Sequence, residues 1–405
     1  MQDRVPLYPG RVTLTPVAGQ ANTYDMTRAD QPTQEGTPLN KATLLKDYTT
    51  NLLGLPNTAV PDDALLALII GVGAYGYRVK IQLADGTPAE GATVSGIEAL
   101  TGSTLVSGTD GIVLGKSTSQ TVTIGCTSPY IDQAAPASQR VTATGIITDV
   151  TLTLTNITDI ITITSSKTSK ISSMAKTVDI CAVGGGGGGS GATDPDYQKS
   201  FGGGGGGGGN IVNVLAKSLT SDAKKSIKII VGSGGAGGGY SGTSPSGNEC
   251  NGSSGGTTSV ILGGQIEIAT ATGGGGGQIG LSYDAPGSGG TSTNGGSGGN
   301  GGYGNNDRGS DGNSSNVHIF NDYNLGLAGG GGGAGSGYVA SNRTRAAAGL
   351  PNGGLGGAFM SKDQRTYPPE NGKPFGGGGG AEYRGSWYKT TSGANGGVYL
   401  RFYFS

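Results

Sequence analysis

A mostly β, multi-domain chain is the fold class this sequence predicts. It comprises a small N-terminal module with short helices, a β-sandwich, and a C-terminal glycine-rich domain of packed polyproline-II-type glycine helices framed by β-strands. Three observations carry that prediction. Short stretches alternating apolar and polar residues recur along the chain, the signature of half-buried strands. Turn pairs such as Asp85-Gly86 and Asp110-Gly111 separate them. Glycine is spread very unevenly: all but 16 of the 85 glycines lie in residues 181–405, roughly a third of that part against a usual share of about 7%.

Residues 1–76 form the first module. PLYPGRVTLTPV alternates through Val12 and Leu14 and reads as a strand. LNKATLLKDYTTNLLGL spaces Leu44, Leu45, Tyr48 and Leu52 as a helix does, with Gly54 and Pro56 as stops. PDDALLALIIGV opens with Pro61 and two acids and is apolar on nearly every side, so its helix is expected to be buried, against this chain or other copies of it.

Residues 77–156 follow strand logic. Tyr77 to Leu83 alternate strictly, and the pattern returns at residues 121–124 and 150–154. Several short strands with frequent turns in so short a stretch predict a small sandwich.

From residue 157 apolar strands run straight into glycine. Residues 159–164, 176–183, 228–231 and 266–270 read as strands, and the last three lead into or towards glycine runs. The chain closes with a strand over 398–404 that follows Gly396-Gly397. SFGGGGGGGGNIVNV, residues 200–214, poses the sharpest question, because eight successive glycines are either a tether or a structure that only glycine fits. A tether needs glycine without order, whereas here the runs are short and punctuated by strands. A polyproline-II helix has three residues per turn and no internal hydrogen bonds, so its N–H and C=O groups point sideways and can pair with neighbours. Chains stacked that closely leave no room for a Cβ. Collagen is excluded, because no G-X-Y period or matching proline content is present.

The chemistry is sparse. Net charge is −1 with only 13% charged residues, which argues against a nucleic-acid partner. The opening MQDRVPLYPG lacks a basic then apolar leader, so no signal peptide is expected. The longest apolar stretch, residues 64–72, is too short to span a bilayer, so no membrane insertion is expected. Cys126, Cys181 and Cys250 suggest neither a disulfide framework nor a metal site. No helical pattern follows any GxGxxG string, as a dinucleotide site would require. The segment GGYGNND, 301–307, misses the calcium nonapeptide by one place and never repeats. His318 is the one histidine and has no nucleophile placed for it. No enzyme, cofactor or metal is expected.

Three resemblances add to this. VKIQLADGTPAEGATV with SGTDGIVL resembles the carboxypeptidase-regulatory or transthyretin-like sandwich modules that serve as spacers, which implies no activity. KTVDICAVGGGGGGSG, SFGGGGGGGGN, IKIIVGSGGAGGGYSG and GANGGVYLRFYF resemble the glycine-rich receptor-binding domain of phage tail fibres and tail-tip adhesins. The opening PLYPGRVTLTPVAGQANTYDMTRADQPTQEGTPLNKATL is similar to the N-terminal module of tail proteins in phages and prophages of Gram-positive bacteria. Together they imply a virion protein. Residues 1–76 would attach it to other tail or baseplate proteins, 77–156 would be the spacer and 157–405 the receptor-binding domain. Its partner would be a bacterial surface protein or glycan, and fibres of this kind are usually homotrimers.

In such a protein recognition falls on the interruptions of the glycine pattern, at 194–201, 240–254, 303–326, 338–350, 358–375 and 381–395. Tyrosine, tryptophan and arginine dominate binding hot spots. The receptor-binding candidates are therefore Tyr303, His318, Phe320, Tyr323, Arg343, Arg345, Tyr367, Tyr383, Trp387 and Tyr388. Some of these aromatics could instead cover the edge of the glycine packing. The other readings are a glycine-rich cell-wall or spore-coat protein, which should repeat more regularly, and a fibre-borne depolymerase.

Overall fold

The computed structural model describes residues 5–6, 11–28, 32–34, 53, 55, 58, 60–71, 74–100, 102–191, 203–219, 226–239, 250–264, 266–280, 287–301, 309–314, 319–320, 353–354, 358–360, 365–367, 369–381 and 391–404. The helix expected over LNKATLLKDYTTNLLGL, 39–55, falls outside them apart from residues 53 and 55. The chain is mostly β, in several separate sheets and with one described helix. It divides into two compact units: Met1–Gln82, Gly86–Thr127 and Pro136–Thr153 in the first, Leu83–Asp85, Ser128–Ala135 and Leu154–Ser405 in the second.

In the first unit Val12–Pro16 pairs antiparallel with Tyr24–Arg28. Helix α1, Pro61–Ile70, starts with proline at its first turn, and the Asp63 carboxylate accepts a bond from the Val60 N–H (2.7 Å). Its small residues Ala64 and Ala67 pack with Leu53, Leu55 and Ile146. Ile70 is buried against the backbone of Gly76, where a Cβ would collide with it. Within a single chain α1 is buried on one face only. Leu65, Leu68 and Ile69 remain 59%, 60% and 51% exposed.

Seven strands follow: β1 (Tyr75–Gln82), β2 (Thr93–Ser95), β3 (Glu98–Ala99), β4 (Ile112–Ser117), β5 (Thr121–Thr127), β6 (Gln139–Thr142) and β7 (Ile147–Thr153). One sheet has the order β7-β1-β4-β3, with β7 parallel to β1, and the other is β6-β5-β2. The alternation works as the sequence implies: Tyr77, Val79 and Ile81 are buried while Arg78 and Lys80 are exposed. Tyr77 Oη donates to the Gln120 carbonyl (2.9 Å) just ahead of β5, tying one sheet to the other. At the predicted TDG turn, Asp110 Oδ1 accepts from the Ile112 N–H (3.0 Å) and Gly111 takes φ +72°, a conformation that favours glycine.

The second unit is built on β8 (Ile161–Ile163), β9 (Lys167–Lys170), β10 (Thr177–Val183), β11 (Ile211–Ser218), β12 (Ser226–Ile230), β13 (Thr258–Leu262), β14 (Ile266–Ala271) and β15 (Gly397–Tyr403). Two four-stranded sheets result, β8-β15-β10-β11 and β9-β12-β13-β14, antiparallel throughout. They share one apolar core: Val178, Ile180, Ala182, Val398, Leu400 and Phe402 from the first, Ile227, Ile229, Val260, Leu262, Ala269 and Ala271 from the second. Burying such side chains stabilises by about 1.5–3 kcal/mol each. Here that offsets the ordering of glycines, which bury no side chain.

Candidate functional site

Six of these strands do not end where their side chains end. β10, β12 and β14 run outward into glycine segments 184–191, 231–239 and 272–280. β11, β13 and β15 are entered from returning segments 203–210, 250–257 and 391–396. Glycine carries the chain past the edge of the sandwich, with only scattered buried side chains such as Ser190, Cys250, Ile279 and Thr391 among the described residues.

Hydrogen bonds define what the glycines form. The N–H groups of Gly184, Gly187 and Ser190 donate to the carbonyls of Asn210, Gly207 and Gly204 (2.8–3.0 Å). Those of Gly185, Gly188 and Gly191 donate to Gly256, Ser253 and Cys250, and those of Gly186 and Gly189 to Ala394 and Thr391. Every third residue therefore faces the same neighbour, which is the repeat of a polyproline-II-type helix. Carbonyls of the same segment accept from three others: Gly186 and Gly189 from Gly235 and Gly238, Gly185 and Gly188 from Gly274 and Gly277, and Gly187 from Gly379. Segment 184–191 thus has six surrounding segments, three receiving its N–H groups and three supplying N–H groups to it. All of its residues are buried, and its eight N–H groups and the carbonyls of Gly185 to Gly189 are paired because every lateral direction holds a partner.

The same packing makes glycine obligatory. A Cβ at Gly187 would run into the Gly275 carbonyl, one at Gly188 into that of Ala236, and one at Gly206 into that of Gly187. All three approaches lie under 3.0 Å, closer than real Cβ atoms come to other atoms. The obstacles are backbone, so a rotamer change relieves none of them.

Direction follows from the bond pattern. The residue numbers of 231–239, 272–280 and 376–380 rise with those of 184–191, whereas those of 203–210, 250–256 and 391–394 fall. Outgoing segments are mutually parallel, and returning ones are antiparallel to them. Gly191, Gly239, Gly280 and Ala381 therefore all end their segments on the side of the lattice remote from the sheets.

Beside the lattice, β10 is buried on both faces. Val178, Ile180 and Ala182 enter the sandwich core, while Cys181 and Val183 pack with Ile211, Ile319 and Phe320, and Phe375 and Tyr399 lie against them. Asp179 shares that second face. Its Oδ1 accepts from the Ala216 N–H (2.7 Å), and its Oδ2 from Tyr403 Oη (2.6 Å) and Arg401 Nη2 (3.0 Å). Burial pushes the Asp179 carboxyl up, but the bonds from Ala216, Tyr403 and Arg401 outweigh it and hold the group below the usual range. Arg401 also lies over the Phe320 ring, 5.1 Å from its centroid. Burial raises the Cys181 thiol to about 12, and burial with Cys181 nearby raises the Tyr399 phenol to about 12. Both stay neutral at ordinary pH and act as packing. Among the described residues no group of three or more His, Cys, Asp or Glu is placed to hold a metal ion, and no helix is long and apolar enough to cross a membrane.

A family model for a glycine-rich domain matches residues 162–403, more than half of the chain. The chain belongs to that glycine-rich domain family. Its match begins within β8 and ends at the last residue of β15, so it takes in the lattice together with the sheets that carry it. No curated protein matches the chain.

The candidate receptor residues divide within the glycine-rich domain. Phe320 is 2% exposed, inside the cluster beneath Arg401, so it fills the edge of the packing rather than facing solvent. Its apolar character in a polar interruption left both roles open in the sequence. Tyr367 lies in the strand Arg365–Tyr367, paired with Ala358–Met360. Tyr303, His318, Tyr323, Arg343, Arg345, Tyr383, Trp387 and Tyr388 lie outside the described residues. Two expected loops are shorter than the sequence suggests. Residues 250–254 and 391–395 belong to the lattice, with the Ser253 N–H donating to Ala236 and the Gly393 N–H to Gly235.

Proposed function

We propose that this chain is a non-enzymatic receptor-binding protein of a phage tail fibre or tail tip, which adheres to a bacterial surface through the connections of its glycine lattice. One observation carries the reading. The outgoing segments end at Gly191, Gly239, Gly280 and Ala381, the last described residues before 192–202, 240–249, 281–286 and 382–390, all on the same side of the lattice, and a glycine surface has almost no side chains of its own with which to recognise anything. Recognition then falls on those connections, and 382–390 contains Tyr383, Trp387 and Tyr388. The bound surface would be a protein or glycan of the cell envelope, and several copies on one virion would add avidity to weak single contacts. Other tail proteins would meet the N-terminal part. Copies of the chain would meet through the exposed Leu65, Leu68 and Ile69 of α1, an apolar strip suited to a homotrimer axis.

The test is adsorption of fluorescent full-length protein to a panel of Gram-positive bacteria, wild type beside a variant with Tyr383, Trp387 and Tyr388 all changed to Ala. Losing a hot-spot aromatic costs about 2 kcal/mol or more, so the expected result is binding to some strains, reduced at least tenfold in a variant that melts like the wild type. Binding to no strain, or release of soluble oligosaccharide from the cells, would overturn the reading.

A further inference from the structure

A glycine lattice has a weakness that a side-chain core lacks. Each glycine helix offers the same donors and acceptors every three residues, so sliding one helix by a turn restores nearly all of its bonds. Nothing in a run of identical residues selects the correct register.

Three Asn-Gly pairs grip the lattice in one repeated way. Asn395 Oδ1 accepts from the Gly234 N–H (2.9 Å) while the Gly396 N–H donates to the Gly232 carbonyl (2.9 Å). Asn251 Oδ1 accepts from the Ile279 N–H (2.8 Å) while the Gly252 N–H donates to Gly277 (2.8 Å). Asn300 Oδ1 accepts from the Gly289 N–H (2.8 Å) while the Gly301 N–H donates to Gly287 (2.8 Å). In each case the pair holds the N–H of one residue and the carbonyl of the residue two before it on a neighbouring segment. A side-chain amide reproduces the acceptor geometry of a backbone carbonyl. A Cβ on Gly396 would strike the Val183 carbonyl and one on Gly252 the Gly188 carbonyl, so these two glycines also lie tight against a third stretch of chain.

We propose that Asn251-Gly252, Asn300-Gly301 and Asn395-Gly396 are register clamps, two-bond locks that select one lateral alignment of the glycine helices and thereby fix where the connections leave the lattice. Their positions suit that role. Asn251 follows 240–249, the segment it grips lies directly before 281–286, and Asn300-Gly301 holds the segment directly after 281–286. Asn395-Gly396 stands where the lattice passes into β15. A slipped helix would lose the clamp because Asn occurs once where glycine occurs repeatedly. This inference concerns the scaffold and does not depend on what the connections bind.

Residue-resolved amide hydrogen exchange on the full chain tests it. Asn251→Ala, Asn300→Ala and Asn395→Ala are each expected to speed exchange at least tenfold at Ile279, Gly289 and Gly234 respectively, leaving the other two amides protected. Asn→Asp at the same positions keeps an acceptor oxygen and should keep the partner amide within about threefold of wild type. Unchanged exchange in an Ala variant, equal loss in its Asp counterpart, or a uniform rise at all three amides would overturn the proposal. Should an Ala variant not fold, its Asp counterpart decides: folded with the partner amide protected supports the clamp, unfolded or unprotected refutes it.

Discussion

Asp179 shows at the scale of one residue how the glycine-rich domain is tied to its sheets. Its carboxylate gathers bonds from β11 and β15 around β10. Its folded value lies below the ordinary one of 3.8. A carboxyl depressed by folding contributes stability that is present above the unfolded pKa and is lost as pH falls through the folded pKa. The urea midpoint should therefore fall as pH drops below about 4, and Asp179→Asn should flatten that part of the curve. At pH 7, Asp179→Ala removes the acceptor that the Ala216 N–H, Tyr403 Oη and Arg401 Nη2 share and should destabilise by about 3 kcal/mol, read from urea denaturation. A second single-residue prediction concerns Gly206. Changing it to Val drives a branched side chain into the Gly187 carbonyl and should cost at least about 3 kcal/mol, seen as insoluble protein or loss of the cooperative melt. Neither role could be read from the residue itself: an aspartate in KTVDICAV looks like the polar place of an alternating strand, and one glycine among eight looks like any other.

Among the elements, strands whose residues alternate were legible and strands buried on both faces were less so. Residues 77–83 alternate strictly, and β1 is found there. β10 was also recognisable, but as a run of apolar residues, because it packs into the sandwich with one face and against Ile319 and Phe320 with the other. β11 and β13 went unrecognised. The sequence shows mostly strands leading into glycine and one strand, 398–404, that follows it; β11 and β13 are two more of that second kind, short of the aromatic run that marks the last. Clamp residues such as Asn300 were equally hidden, since their partners lie on other segments and asparagine beside glycine also marks a turn. Helix α1 was legible in its bounds, but the face left open was not, because that depends on which side Gly76 offers to Ile70. If copies assemble on that face, changing Leu65, Leu68 and Ile69 together to Ser should convert a trimer to a monomer in sedimentation. The melt should move little, since exposed positions typically contribute no more than about 0.5 kcal/mol each. A wild type that already sediments as a monomer contradicts the assembly.

For the whole molecule, a conventional core and a backbone-only lattice share their strands, and each supplies what the other lacks. The sheets bury side chains and fix six chain directions, and the glycines extend those directions through lateral hydrogen bonds to an end where side chains reappear. Composition disclosed that glycine was structural, because the runs were framed by apolar strands. The packing of six segments about 184–191 was not legible, since identical residues carry no information about which run lies beside which. The central claim is that these glycines are an ordered lattice rather than tethers, and amide hydrogen exchange across 184–191 in the native full-length protein measures it. N–H groups bonded within a buried array open only with the global unfolding of the unit, so these amides should exchange at least about a thousandfold more slowly than an unstructured glycine peptide, matching β10 beside them. Exchange within about tenfold of the free peptide, with β10 still protected, would show that the run is a tether.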